Sequence, residues 1–294
     1  MAKTPPTKTR PVQTGSRDLE ILLAVDRCPL TIAQLLRVSQ TFERPFTDPH
    51  HLRRRVRQLR SAGLLKTFPY AIATGGRSPD YLRITQAGYR LLHGPEATAK
   101  RRHFEAVSPA QHLHTHDLSE LVSHLLASAH VAGADVTQFM REGSLRIGND
   151  RVAAFPDCAF RLESSERSLN YYVELDRGTE RIRTKQDVES ILRKVHAYDL
   201  DNARFDARDP NRPLVLFVTT RTSLRRDSIL AAATEGMRNP NRTVFLAATL
   251  GDVCEGNPVT ESLFRDHRGQ GRPLLALPKK LRDPLRESSR PGVD

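Results

Sequence analysis

From residue 116 onward the chain alternates helical and strand-like segments in an order that few architectures accommodate. A helical pattern spans about 116–132, and strand-like segments follow near 136–142, around Arg151–Leu162 and at Leu169–Leu175. A helix over about 181–198, the apolar strand Leu214-Val-Leu-Phe-Val-Thr219, a helix over about 222–236 and the strand Thr243-Val-Phe-Leu-Ala-Ala248 complete the pattern. Helix, three strands, helix, strand predicts an α/β domain with a mixed central sheet over residues 116–269. Residues 270–294, rich in Pro, Arg and Lys, read as a loosely ordered tail. A chain of 294 residues has room for a second domain with its own core, so the predicted fold class is α+β with two domains.

The amino-terminal part supplies that second domain. After a basic tail (1–16) expected to be disordered, Leu19, Leu22, Leu23 and Val25 outline a first amphipathic helix. Thr31 can cap a second, with Ile32, Leu35 and Leu36 facing inward. Asp48-Pro49 is a cap followed by a favoured first-turn proline, and Gly63 supplies the stop of a third helix. Along this helix Leu52, Val56 and Leu59 share one face, while His50, Arg53, Arg54, Arg57 and Arg60 project elsewhere. Two strand-like runs, Leu64–Phe68 and Tyr81–Ile84, flank a Gly75-Gly76-Arg77-Ser78-Pro79 turn, and Thr85 caps a closing helix through Leu92. This order, carried by LRRRVRQLRSAGLLKTF and YLRITQAGYRLL, resembles the winged-helix (winged helix-turn-helix) family over about residues 17–94. The resemblance implies that arginines of the third helix contact double-stranded DNA, with Arg77 on the wing reaching the neighbouring backbone.

Charge supports a polyanionic partner. Residues 1–102 hold 19 Lys and Arg against 7 Asp and Glu, which accounts for the whole net charge of +12. The remainder is neutral, so the excess is confined to the segment with the basic helix. No apolar run approaches the roughly 20 residues of a membrane helix, and the amino-terminal residues lack the apolar stretch of a secretion signal. Cys28, Cys158 and Cys254 are far apart with no CxxC pair, as expected of a reducing compartment, the bacterial cytoplasm.

Residues 95–115 read as a linker that begins at Gly94-Pro95. Within it, Gln111-His-Leu-His-Thr-His-Asp117 places three histidines at alternate positions. In an extended segment they would suggest a metal site; as the approach to a helix capped by Thr115 or Asp117 they would not.

The acidic residues of the second domain fall at strand ends. Phe155-Pro156-Asp157 opens one strand segment and Tyr171-Tyr172-Val173-Glu174-Leu175-Asp176 ends the next, so antiparallel pairing would bring Asp157 and Glu174 together. Two carboxylates there can hold Mg²⁺, for which Mn²⁺ can substitute, with Asp176 as a further ligand. The helix, three strands, helix, strand skeleton with this acidic pair resembles the restriction-endonuclease core and its PD-(D/E)xK motif. FPDCAFRL, YYVELDRGTERI and ILRKVHAY together resemble the plasmid replication-relaxation family over about residues 17–250. That resemblance implies a role in relaxing or nicking DNA of plasmids and mobile elements, with replication or conjugation proteins as partners. The nuclease motif has lysine two residues after the glutamate, where this chain has Asp176; Lys194, three residues from Ile191 and four from Tyr198, is the candidate substitute. Asp157, Glu174 and Lys194 are thus the candidate catalytic residues. Alternatively Asp176 and Arg177 start a turn with Gly178, Glu180 opens a helix, Lys194 is a surface lysine, and the domain is a homodimerisation or docking platform of a non-catalytic regulator. A tyrosine relaxase fits less well, because alternation puts Tyr171 and Tyr172 on opposite faces of a strand.

Overall fold

The computed structural model describes residues 14–72, 78–182, 190–206 and 209–275. The chain is α+β. It opens with α1 (Ser16–Arg27), a two-residue strand β1 (Leu30–Thr31), α2 (Ile32–Val38) and α3 (Pro49–Ser61). Strands β2 (Leu65–Pro69) and β3 (Asp80–Ile84) and the helix α4 (Gln86–His93) follow. Local chemistry sets these boundaries. Thr31 accepts from Gln34 N while the Gln34 side chain accepts from Thr31 N, a reciprocal cap. Asp48 accepts from His50 N at 2.7 Å, with Pro49 in the first turn of α3. Strand β3 runs between β1 and β2, antiparallel to both, pairing Leu82 with Leu30 on one side and with Thr67 on the other.

The second half contains α5 (His112–Val131), β4 (Asp135–Arg141), β5 (Ile147–Gly148), β6 (Ala153–Ala154), β7 (Cys158–Glu163) and β8 (Ser168–Asp176). Then come α6 (Ile191–Asn202), β9 (Pro213–Thr219), α7 (Ser223–Gly236), β10 (Phe245–Thr249), α8 (Leu250–Glu255), β11 (Phe264–Asp266) and β12 (Gly271–Arg272). Seven strands form one mixed sheet in the order β12-β11-β10-β9-β8-β7-β4. Strands β8, β9 and β10 are parallel, and β4 and β7 extend the sheet antiparallel on one side. The central strands are almost continuously apolar because both faces are covered. Val173, Leu175, Leu216 and Val218 pack toward α5, while Val215, Phe217, Phe245 and Ala247 pack toward α6 and α7. The strand expected around 151–162 is two pieces, interrupted at Pro156, which has no N–H to give a ladder.

Three features differ from the sequence expectation. The histidine-rich stretch is the first turn and a half of α5, so its histidines do not alternate on a strand. Within the segment expected to be a loose tail, Leu274 and Leu275 are each 1% exposed, and the Tyr171 hydroxyl donates to the Leu274 carbonyl. Finally, one apolar core runs unbroken from Ile21 and Leu35 through Leu121 and Leu125 to Val173 and Leu216, joining the amino-terminal helices to the large sheet. Polar contacts reinforce this joint, with Arg37 and Gln34 of α2 both holding Glu120 of α5.

Candidate functional site

Glu174 and Asp176, two apart on β8, share the face that looks toward α6 and α7. Across the β7–β8 ladder Cys158 pairs with Val173, which puts Asp157 opposite Glu174. The backbone confirms the register, since Asp157 N donates to the Val173 carbonyl at 2.9 Å and Leu175 N donates to Asp157 Oδ2 at 2.7 Å.

Glu174 is 2% exposed. Its Oε2 accepts from Lys194 Nζ at 2.8 Å and its Oε1 accepts from the Tyr198 hydroxyl. Lys194 also donates to Glu180 Oε1 at 2.8 Å, so its ammonium bridges two carboxylates. Lys194 and Tyr198 are one helical turn apart on α6 and therefore reach the same strand residue. Burial pushes the Glu174 carboxyl up to about 7; the nearby charge of Asp157 adds to this and Lys194 opposes it. Burial works to lower Lys194, but Glu174 and Glu180 outweigh it and hold its pKa above the ordinary lysine value. Among the described residues, Glu180 Oε2 is buried without a hydrogen-bond partner.

On the other side of Asp157, His114 Nε2 of α5 lies 3.1 Å from Oδ1. Burial disfavours the imidazolium, yet the Asp157 contact prevails and raises the His114 pKa above its usual value.

Asp176 is brought to a different place. Arg225 of α7 holds it through both oxygens, at 2.9 and 2.8 Å, while the Thr219 hydroxyl and Gly178 N supply two more donors. Burial would raise its carboxyl, but Arg225 and Thr219 turn the net shift downward. Asp176, Arg177 and Gly178 do form a turn: Gly178 has φ +71°, and a Cβ there would meet the Arg221 side chain at 2.8 Å. Arg177 Nε donates to Asp117 of α5 at 3.0 Å. The structure thus gathers Asp157, Glu174 and Lys194, and does not add Asp176 to them.

Two hard carboxylates on adjacent strands are a donor set suited to Mg²⁺ or Mn²⁺. Among the described residues, no third ligand atom converges on them. Among the described residues, the one trio of ligand atoms lying within 4.8 Å of one another is Glu120, His124 and Cys254. There Arg37, Gln34 and His124 already engage the Glu120 carboxylate.

The basic surface is separate. On α3, Leu52, Val56 and Leu59 are buried, and His50, Arg53, Arg54, Arg57 and Arg60 are exposed, at positions that fall along one stripe of the helix. Arg55, off the stripe, is ion-paired to Asp18 of α1. Arg77 lies outside the described residues.

Comparison with known proteins bears on both regions at once. A family model described as replication-relaxation matches residues 23–206, a span that runs from α1 to just past α6. The chain belongs to the replication-relaxation family. The match is shorter at both ends than residues 17–250, yet it contains the basic stripe of α3 and Asp157, Glu174 and Lys194 alike. No curated protein and no solved structure matches this replication-relaxation chain. Membership in the family suggests a role in the replication of plasmid or mobile-element DNA. No helix among the described residues is long and apolar enough to cross a membrane.

Sequence reasoning missed three members of the site. Glu180 is a partner of Lys194 rather than the opening of a helix. Tyr198 sat in the same spacing argument as Lys194 and could have been named with it. His114 was visible as part of the histidine stretch, but only the α5 geometry directs it to Asp157.

Proposed function

We propose that this chain is a double-stranded-DNA-binding protein with a metal-dependent phosphodiester-cleaving site, acting to nick or relax DNA. The amino-terminal helices with the β2–β3 hairpin are read as a winged helix. In that reading α3 enters the major groove with Arg53, Arg54, Arg57 and Arg60 on phosphates and base edges, helped by His50 and by Arg77. The large sheet with α5 on one face and α6 and α7 on the other is read as a restriction-endonuclease-like core.

The observation that carries the catalytic half is the Lys194–Glu174 ion pair, 2.8 Å long, formed beside Asp157 on the opposite strand. A lysine supplied by the following helix answers the absence of one at position 176. Asp157 and Glu174 would hold Mg²⁺ or Mn²⁺, which when bound supplies charge neutralisation at phosphorus and a more acidic water. Lys194 fixes the Glu174 carboxylate and carries a positive charge able to offset the charge developing on a cleaved phosphate. Tyr198 keeps Glu174 in orientation, and His114, 3.1 Å from Asp157, does the same for that carboxylate.

A second reading is favoured by the Asp176–Arg225 clamp, which withdraws one expected ligand. In it the domain is a docking or homodimerisation platform, met by replication or conjugation proteins, and DNA is bound without being cut. Pure protein incubated with supercoiled plasmid and Mg²⁺ or Mn²⁺ separates the two. Nicked circles that vanish with Asp157→Ala/Glu174→Ala support the nuclease; plasmid left supercoiled while gel shifts persist supports the platform.

A further inference from the structure

Where the amino-terminal helices, the segment 95–111 and β4 meet, they enclose a cavity of about 580 Å³. Arg27, Arg83, Lys100, Arg102 and Arg141 line it, and Asp157 stands on its wall. The carboxylates on the wall are Asp26, Glu142 and Asp157, and Asp26 is spent: Arg141 and His103 hold Oδ1 and His93 holds Oδ2.

The two deepest guanidinium groups have no carboxylate of their own among the described residues. Arg83 donates to the backbone carbonyls of His103 and Arg102, each at 3.0 Å. Arg27 donates to the Val136 carbonyl and lies over the Phe139 ring, 6.0 Å from its centroid. Carbonyls and a ring face orient a cation without neutralising it, and a charge taken out of water is costly until an anion compensates it. Burial accordingly draws both guanidinium groups below the usual arginine value. At the mouth, Lys100 and Arg102 are exposed and add charge of the same sign.

We propose that the cavity binds the phosphate of a nucleotide, held by Arg27, Arg83, Lys100 and Arg102 on the wall that also carries Asp157. A cavity of this volume has room for a whole nucleotide, well beyond inorganic phosphate. Tyr89 and Phe139 on its wall offer ring surface for a base. The ligand class rests on the nucleic-acid reading above, whereas the anion site itself does not. The same chemistry is presented by a free nucleotide and by a nucleotide of a DNA strand.

The test uses the full chain in EDTA, so that cleavage plays no part, with titrations of deoxythymidine 5′-monophosphate, thymidine, a short single-stranded oligonucleotide and a blunt duplex. Binding of the monophosphate or the single strand, with thymidine silent, is expected; which of the two binds identifies the source. Lys100→Ala/Arg102→Ala removes only exposed side chains, and each lost charged contact to a phosphate should weaken binding roughly tenfold or more. Arg83→Gln should do the same. Arg53→Ala/Arg57→Ala on α3 should weaken the duplex alone. If neither phosphate ligand binds, or if Lys100→Ala/Arg102→Ala and Arg83→Gln bind as wild type, the cavity is not a nucleotide-phosphate site. If the wild-type chain fails to bind the duplex while still binding the monophosphate, the DNA-docking reading is overturned and the cavity assignment stands.

Discussion

Lys194 of α6 donates to Glu174 of β8 at 2.8 Å, and the same ammonium reaches Glu180 beyond the turn that follows β8. One cation therefore compensates two carboxylates, and a helix and a strand are tied at the point where the acidic pair is displayed. Removing one member of a buried pair leaves the other charge without compensation. Lys194→Met is expected to cost about 3 kcal/mol at pH 8. At pH 6 the cost should be smaller, because Glu174 then takes up a proton and only the partly exposed Glu180 loses its cation. Urea midpoints at the two pH values check this; an equal loss at both would mean that Lys194 does not compensate Glu174.

Glu174 also sets a pH dependence of its own. Its carboxyl is raised from the ordinary 4.5 to about 7, chiefly by burial. For a raised acid the fold prefers the protonated form, so stability falls as pH climbs through the interval between those values. Glu174→Gln mimics the neutral acid and abolishes that fall. Relative to wild type the variant should gain about 1–3 kcal/mol between pH 5 and pH 8. Divalent-metal binding should tighten over the same interval, since the ion competes with that proton. Paired denaturation series and Mn²⁺ titrations measure both. A flat difference across pH would remove Glu174 as the titrating group.

Asp176 and Arg225 make the opposite case. With four donors on its carboxylate, Asp176 is expected to hold α7 against β8 and take no part in metal binding. Arg225→Ala should destabilise by about 3 kcal/mol and leave Mn²⁺ affinity intact, whereas Asp157→Ala should abolish binding. Calorimetric titration of both variants decides it. A loss of Mn²⁺ affinity in Arg225→Ala equal to that in Asp157→Ala would return Asp176 to the ligand set.

What could be read in advance follows from range. Lys194 was legible because its spacing from Ile191 and Tyr198 is local to one helix, and the basic stripe of α3 for the same reason. The Pro156 interruption, the Asp48 and Thr31 caps and the Gly178 turn are likewise local chemistry. The fate of Asp176 was not legible: its partner Arg225 lies 49 residues away, and nothing in either neighbourhood announces the other. His114 shows a further limit. Alternating histidines fit a strand as well as a helix N-terminus, and only the helix, which begins at His112, turns His112 toward Tyr70 and His114 toward Asp157. Leu274 and Leu275 were hidden by composition, because a short apolar run in a Pro- and Arg-rich stretch carries no periodicity.

The α3 stripe yields a prediction in salt. If Arg53, Arg54 and Arg57 each neutralise a phosphate, replacing all three with Ala should reduce the slope of log K against log salt by about 3. These side chains are exposed and Asp48 still caps the helix, so stability should stay within about 0.5 kcal/mol. Fluorescence anisotropy with duplex DNA at several salt concentrations gives the slope. An unchanged slope would place the DNA-contacting surface elsewhere.

Asp26 of α1 joins elements that are far apart in sequence, through Arg141 of β4 at 2.6 Å, His103 at 2.8 Å and His93 at 3.0 Å. Burial works to raise its carboxyl, but His103, Arg141 and His93 together hold it below the ordinary 3.8. A depressed acid contributes stability that is present above its unfolded value and is lost as pH falls through the folded one. The contribution is therefore intact at neutral pH and disappears only in strong acid. Asp26→Asn should remove it at pH 7, costing about 3 kcal/mol, and should leave Arg141 and His103 without their anion. Because these contacts hold the segment 95–111 against both α1 and β4, the variant should be cut there by protease sooner than wild type. Equal stability together with equal cleavage rates would show that the apolar core between Leu35 and Leu121 holds the two halves together without help from Asp26.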